Sequence, residues 1–81
     1  MLDAIEAQTR TTQIIAKHFK KPLDELGLDT RLREDLGGDS LDLVVLIFEL
    51  EQEMGVRIAE GAAADFVTIG DAVRYVESLG A

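Results

Sequence analysis

One stretch of this sequence constrains the fold more than any other, an apolar run over Ser40–Met54 that directly follows a pair of glycines and an aspartate. Apolar residues recur in the run with helical spacing, and Gly55 follows it as a plausible C-terminal stop. We therefore predict a helix over Ser40–Met54, called the serine helix here, around which the remainder of the chain must pack.

The serine helix carries two apolar stripes. The stripe predicted to face the core contains Leu43, Leu46, Ile47, Leu50 and Met54. The second stripe contains Leu41, Val44, Val45 and Phe48. Because a domain of 81 residues can hardly cover a helix completely, we expect part of the second stripe to meet solvent and to contact a partner. The alternative is that the first helix and a long loop bury both stripes.

The residues that precede the serine helix place a single hydroxyl group in its first turn. Gly37 and Gly38 permit backbone conformations and close contacts that a side chain would obstruct. Asp39 and Ser40 both suit the N-cap position, so Ser40 is expected at, or just inside, the first turn. Free N–H groups and the helix dipole favour negative charge there, and a phosphate esterified to Ser40 would find an anion site.

Two further long helices are predicted, and no segment has a convincing strand pattern. One spans Leu2–Phe19 and is stopped by Pro22, and its stripe contains Ile5, Ile14, Ile15 and Phe19. The other begins with Thr68 as cap and Asp71 in a capping-box pairing, and Gly80 ends it. Its inner face is predicted to contain Ile69, Ala72, Val73, Val76 and Leu79.

The connections complete an all-α prediction. Leu23–Gly38 is expected to be an ordered loop with room for a short helical turn. Its pinning residues are Leu26, Leu28, Leu32 and Leu36. Ile58 is expected to be buried in the core. Glu60–Asp65 is expected to form a brief helical turn, which Gly61 weakens. The predicted architecture is a small helical bundle of three main helices, with a short third helix and a long loop between helices 1 and 2. It forms a single domain over residues 1–81.

Composition excludes several classes of partner. The formal net charge of −8 argues against nucleic acid and anionic membranes, and favours either partners with basic patches or simple solubility. The longest uncharged apolar stretch, Leu43–Phe48, is too short to span a membrane, and the acidic N-terminus argues against a secretory signal. The absence of cysteine excludes disulfides and fits a reducing compartment. We expect a cytoplasmic monomer.

Catalytic and metal-binding roles have little support. Gly38–Leu41 spells the G-D-S-L string of some esterases, but the sole base candidate, His18, has no carboxylate motif to orient it. His18 is expected to be a surface or half-buried residue. The chain is also too short for an α/β hydrolase, and no strand precedes the serine. Asp35, Asp39 and Asp42 lack the spacing of a calcium loop, so no metal site is expected.

The segment Glu34–Ile58 resembles the acyl carrier protein family. The matching residues are E-D-L-G-G-D-S-L-D over 34–42, then Leu46, Leu50-Glu51 and Ile58, and the likeness extends along nearly the whole chain. In that family the serine of D-S-L carries 4′-phosphopantetheine, so the resemblance places that arm on Ser40. It implies a carrier without catalysis of its own, which holds acyl groups as thioesters during fatty-acid, lipid or polyketide biosynthesis. The implied partners are a phosphopantetheinyl transferase and acyl-transferring or condensing enzymes.

The resemblance also suggests how such partners are recognised. The residues assigned to recognition are Asp39, Leu41, Asp42, Val44, Val45 and Phe48. Many fatty-acid carriers have a glutamate where Val45 stands, and their acidic third helix is replaced here by Gly61–Ala64. We therefore expect partners whose docking surfaces combine basic and apolar groups, with more apolar contact than is usual. Met54, Ala72 and Val73 are expected to border a space for the acyl chain.

Two other functions fit the same sequence. A peptidyl or aminoacyl carrier would have the same arm and the same fold, and would differ only in its cargo. A helical interaction module that is never modified would use the exposed stripe of the serine helix without the arm.

Overall fold

The computed structural model describes residues 3–59 and 61–79, which form three α-helices. Helix α1 spans Ala4–Phe19, α2 spans Ser40–Met54 and α3 spans Ile69–Ser78. Within the described residues the only β-type pairing is an isolated antiparallel bridge between Arg31 and Thr68. The all-α prediction is therefore confirmed.

Two short 3-10 turns interrupt the connections between the α-helices. The first, Leu23–Glu25, lies in the long α1–α2 loop, where room for a short helical turn was predicted. The second, Ala62–Asp65, takes the place of the predicted short third helix, so that element is a four-residue 3-10 turn. Gly61 precedes it with a φ of 89°, a left-handed conformation that glycine adopts without steric cost. Glu60, where this element was predicted to begin, lies outside the described residues.

Each α-helix begins at a polar residue whose side chain satisfies a free backbone N–H. The Asp3 carboxylate accepts a hydrogen bond from the Glu6 N–H at 2.7 Å, which starts α1 one residue after Asp3. Lys20 then ends α1 in a left-handed conformation, two residues before Pro22. Leu2 and Gly80, the predicted outer limits of the first and last helices, lie outside the described residues.

The core is built around the predicted inner stripe of α2. Leu43, Leu46 and Leu50 are buried, while Ile47 and Met54 are partly buried and pack against them. The other buried residues of the core cluster are Ile15, Leu32, Ile58, Ala62, Phe66, Ile69, Ala72 and Val73. The prediction of Ile58 as a core residue is confirmed. The long loop is pinned by buried Leu32 and by partly buried Leu26 and Leu36.

Three residues predicted to be inside are exposed instead. Ile5 is 77% exposed, because it lies about 80° around the helix axis from buried Ile15 and so points away from the core. The buried face of α1 consists of Ala7, Thr11, Ile15 and Ala16. Leu79 is the C-cap of α3, beyond its last packed turn, and Leu28 is an exposed loop residue whose backbone carbonyl accepts from the Gly70 N–H.

Thr11 presents an unusual feature of the α1 packing face. Its side chain is completely buried, and its hydroxyl has no hydrogen-bond partner among the described residues. A buried hydroxyl without a partner loses its hydration and gains nothing in exchange. This residue therefore weakens the core.

We expect Thr11→Val, which keeps the shape of the side chain and removes the hydroxyl, to raise the free energy of unfolding by about 1 kcal/mol. The melting temperature should rise by about 4–8 °C in a domain of this size, measured by thermal denaturation. Thr12→Val is the matched control, because the Thr12 hydroxyl donates to the Gln8 carbonyl oxygen at 2.8 Å. An equal gain in the control would contradict this account.

Candidate functional site

The two glycines before α2 have different roles in positioning its first turn. Gly37 has a φ of 75°, in the left-handed region that other residues avoid. Gly38 is buried, and a Cβ at that position would lie 2.9 Å from Cζ of Phe19 and 3.0 Å from the carbonyl oxygen of Leu32. Both predicted glycine roles are confirmed, and the backbone that leads to Ser40 packs directly against the end of α1.

A reciprocal capping box fixes the start of α2. The Asp39 carboxylate accepts from the Asp42 N–H at 2.9 Å, and the Asp42 carboxylate accepts from the Asp39 N–H at 3.1 Å. Asp39 is thus the N-cap, and Ser40 is the first residue of the helix, as predicted. The Ser40 side chain is exposed, and its hydroxyl makes no hydrogen bond to a described residue.

The same turn suits an esterified phosphate. The backbone N–H groups of Ser40 and Leu41 have no acceptor within the described residues, whereas that of Asp42 is already bound to Asp39. Free N–H groups and the helix dipole both favour an anion at this end of α2. The residues present therefore fit a phosphate-linked group on Ser40.

His18 lies close to this turn but does not form a catalytic pair with Ser40. Its Nε2 lies 3.2 Å from Oδ1 of Asp42, and its Nδ1 lies 2.6 Å from Oε1 of Glu49. The expectation that His18 is half-buried is confirmed. The expectation that no carboxylate orients it is wrong, because α2 brings in two carboxylates that lie 24 and 31 residues away along the chain. Within the described residues no hydrogen bond joins the ring to Ser40.

Three aspartates near helix starts and loop turns bind backbone N–H groups. The N–H of Asp39, and then the imidazole of His18, hold the pKa of Asp42 below its usual value. The Arg31 N–H has the same effect on the pKa of Asp35, and the Thr68 N–H lowers the pKa of Asp71. Each of these hydrogen bonds favours the ionised carboxylate.

The outer stripe of α2 is open to solvent. Leu41, Val44 and Phe48 are 70%, 60% and 59% exposed, and Val45 is 41% exposed. The expectation that part of this stripe meets solvent is confirmed, and the alternative that both stripes are buried is wrong. Together with exposed Asp39 and half-buried Asp42, these side chains form a continuous face beside Ser40.

An apolar groove of about 320 Å³ runs along this face. It is lined by Val44, Ile47, Phe48, Glu51, Ile58, Ala59, Gly61 and Ala63. None of the three residues expected to border an acyl-chain space lines it, and two of them, Ala72 and Val73, are buried in the core. Sequence reasoning missed the groove because its second wall is brought to α2 only by tertiary packing, and this wall consists of Ile58, Ala59, Gly61 and Ala63. The small residues of that segment were the available signal.

In the part of the chain that the structure describes, no group of three or more histidine, cysteine, aspartate or glutamate side chains could hold a metal ion. None of the described helices is long and apolar enough to cross a membrane.

Comparisons with known proteins agree with this geometry. A family model described as a phosphopantetheine attachment site matches residues 10–76. The chain is 39% identical over 66 residues to the acyl carrier protein of Treponema denticola, an alignment that covers 82% of this chain and 85% of that protein. The solved structure of the acyl carrier protein from Enterococcus faecalis superposes with a TM-score of 0.79 and 29% identity. That match covers 96% of this chain and 99% of the other.

The fold and the site thus define a carrier of a phosphopantetheine group, which is held on a serine. The chain belongs to the acyl carrier protein family. Members of this family are carriers and not enzymes, and they interact with a phosphopantetheinyl transferase and with biosynthetic enzymes. Family membership speaks against the unmodified interaction module considered above.

We expect Gly38→Ala to destabilise the protein by about 1–3 kcal/mol, because the new Cβ meets backbone on one side and an aromatic ring on the other. Gly27→Ala is the matched control, since a Cβ there meets no atom within 4 Å, and it should change stability by less than about 0.5 kcal/mol. Denaturant unfolding of both variants measures the difference. Equal stabilities would show that the close contact at Gly38 is unimportant.

Acid should destabilise the fold through the three aspartates with lowered pKa. The pKa of each of these aspartates is lower in the folded protein than the unfolded value near 3.8. Their contribution to the free energy of unfolding is therefore present above that pH, and it is lost as the pH falls through the native pKa values. The melting temperature should therefore drop steeply below about pH 4. Asp71→Asn should flatten this drop, since asparagine does not titrate, and an unchanged profile would argue against the assignment.

Proposed function

We propose that Ser40 is the serine that carries 4′-phosphopantetheine. The chain contains two serines, Ser40 and Ser78. Ser78 lies outside the matched residues 10–76, and its hydroxyl is already bound to the Tyr75 carbonyl oxygen at 2.6 Å. The observation that carries the proposal is the exposed Ser40 at the first position of α2, directly after Gly38, whose backbone packs against Phe19.

The arm, when present, supplies a thiol that holds an acyl group as a thioester. The residues of this chain hold the attachment point, orient it through the capping box and offer a surface to visiting enzymes. We propose that residues 1–81 act as one acyl carrier domain, and that it serves fatty-acid, lipid or polyketide biosynthesis in the cytoplasm. The apolar groove along α2 offers shelter to part of an acyl chain.

We further propose that partner enzymes bind the face formed by Asp39, Leu41, Asp42, Val44, Val45 and Phe48, called the recognition surface. Its exposed side chains are mainly apolar. The nearest acidic residues of α2 are engaged within the chain, since Glu49 contacts His18 and Glu51 accepts from the Ile58 N–H at 2.8 Å. This arrangement leaves fewer free carboxylates for a purely ionic interaction.

The proposed partners therefore combine apolar docking surfaces with a smaller number of basic groups. The net charge of −8 still favours basic partners over nucleic acid or anionic membranes. We propose that the carrier works as a monomer, because its exposed apolar face must remain available to successive enzymes.

Attachment at Ser40 is tested by intact mass spectrometry of the full chain. Incubation with coenzyme A and a phosphopantetheinyl transferase should add the mass of one arm to the wild type and to Ser78→Ala. It should add nothing to Ser40→Ala, because the acceptor hydroxyl is missing. Modification of the Ser40 variant, or its loss in the Ser78 variant, would assign the arm elsewhere.

The apolar character of docking is tested with Val45→Glu in the phosphopantetheinylated protein. We expect kcat/KM for transfer by the cognate acyl-transferring enzyme to fall about tenfold, since a charge would enter a desolvated contact. Wild-type transfer should depend only weakly on salt.

The matched control for this variant is Ile5→Glu, which adds the same charge at an exposed position of α1. Ile5 lies toward the far end of α2, where Arg10 donates to the Glu53 carbonyl oxygen at 3.0 Å. Transfer should be unchanged in that variant. Unaltered transfer with Val45→Glu, or a steep loss of wild-type transfer as salt is added, would refute apolar docking.

A further inference from the structure

The single histidine of the chain joins two helices beside the attachment site. The His18 side chain is only 12% exposed, and it lies between two carboxylates of α2 that are each 39% exposed. One of these, Asp42, belongs to the capping box that sets the position of Ser40. The other, Glu49, lies two turns further along α2.

The chemistry of the two contacts depends on the protons of the ring. An ionised carboxylate only accepts hydrogen bonds, whereas neutral imidazole has one donor nitrogen and one acceptor nitrogen. A neutral ring can therefore bind Asp42 or Glu49, but not both. The imidazolium ion donates from both nitrogens and satisfies the contacts at 2.6 Å and 3.2 Å together.

We propose that His18 is a proton-dependent latch that fastens the first turn of α2, and with it Ser40, to the end of α1. With a proton on each nitrogen, the ring holds Asp42 and Glu49 at the same time. When one proton leaves, the ring keeps its shorter contact, to Glu49 at 2.6 Å, and releases Asp42 at 3.2 Å, so the turn that carries Ser40 gains freedom. The latch belongs to the unmodified chain and does not depend on cofactor attachment.

The surroundings of the ring support this role. The carboxylates of Asp42 and Glu49 are the charged groups that α2 presents to it. On α1 its charged neighbours in sequence are Lys17 and, just beyond the helix, Lys20, both exposed. The uncharged backbone of Gly38, in the α1–α2 loop, packs against the ring of Phe19 at this end of α1. The Phe19 ring in turn packs edge-on to the His18 ring, with 4.7 Å between the ring centroids.

The sign of the pH dependence follows from the donor count. Histidine side chains change charge between about pH 5 and 8, a range in which aspartate and glutamate are ionised. The double contact is therefore present while the ring carries both protons and is lost as the pH rises. This trend is opposite to the acid-induced loss expected from the three aspartates.

The experiment uses the full unmodified chain, whose only histidine gives unambiguous ring signals. Ring ¹⁵N chemical shifts report the protons on each nitrogen, and amide hydrogen exchange reports the first turn of α2. We expect the first turn of α2 to be protected most strongly where both nitrogens carry protons. The protection factor of the Leu43 N–H, which is bonded to the Asp39 carbonyl oxygen, should fall about two- to fivefold once one of these protons is lost. The two changes should share one midpoint.

His18→Gln is the decisive variant, because its amide group supplies donors that do not depend on pH. It should keep the protection of the Leu43 N–H constant over the same range. Glu49→Gln, a second variant, should reduce the step in the wild-type profile, since one ionised acceptor is gone. A step that persists in His18→Gln, or protection that does not follow the protonation of the ring, would each refute this role for His18.

Discussion

The contact between Gly38 and the end of α1 is the constraint on which the site depends. With no side chain at this position, the backbone approaches the ring of Phe19 and the carbonyl of Leu32 closely. The chain therefore enters α2 at a fixed place, and the capping box of Asp39 and Asp42 begins the helix one residue later. Ser40 is consequently held at an exposed helix start by two neighbouring elements, and not by its own contacts.

The two faces of helix α2 have different roles. Its inner face, centred on Leu46, supplies the core against which α1, α3 and the second 3-10 turn pack. Its outer face remains apolar and exposed, an arrangement that adds nothing to folding and that we propose serves partner binding. Because Glu49 and Glu51 bind groups within the chain, the charge on this helix also serves tertiary structure, and the surface beside Ser40 is less acidic than composition alone suggests.

Much of the site was open to prediction because its signals are local. The glycine pair, the capping residues and the period of the inner stripe act within a few residues of Ser40 and need no knowledge of the fold. Predictions that depended on what covers a surface were less successful. Ile5 is apolar and helical but lies off the packed face of α1, and Leu28 contributes its backbone rather than its side chain to the packing against α3.

The sequence by itself determined the starts of α2 and α3, the position of the serine and the apolar character of both faces of α2, because capping and periodicity arise between near neighbours in the chain. Only the tertiary structure decided that His18 faces two carboxylates of α2, and that Ile58, Ala59, Gly61 and Ala63 form the second wall of the groove. Those features join segments far apart in sequence. Their pairing is set by how the helices pack around the core, which no local pattern encodes.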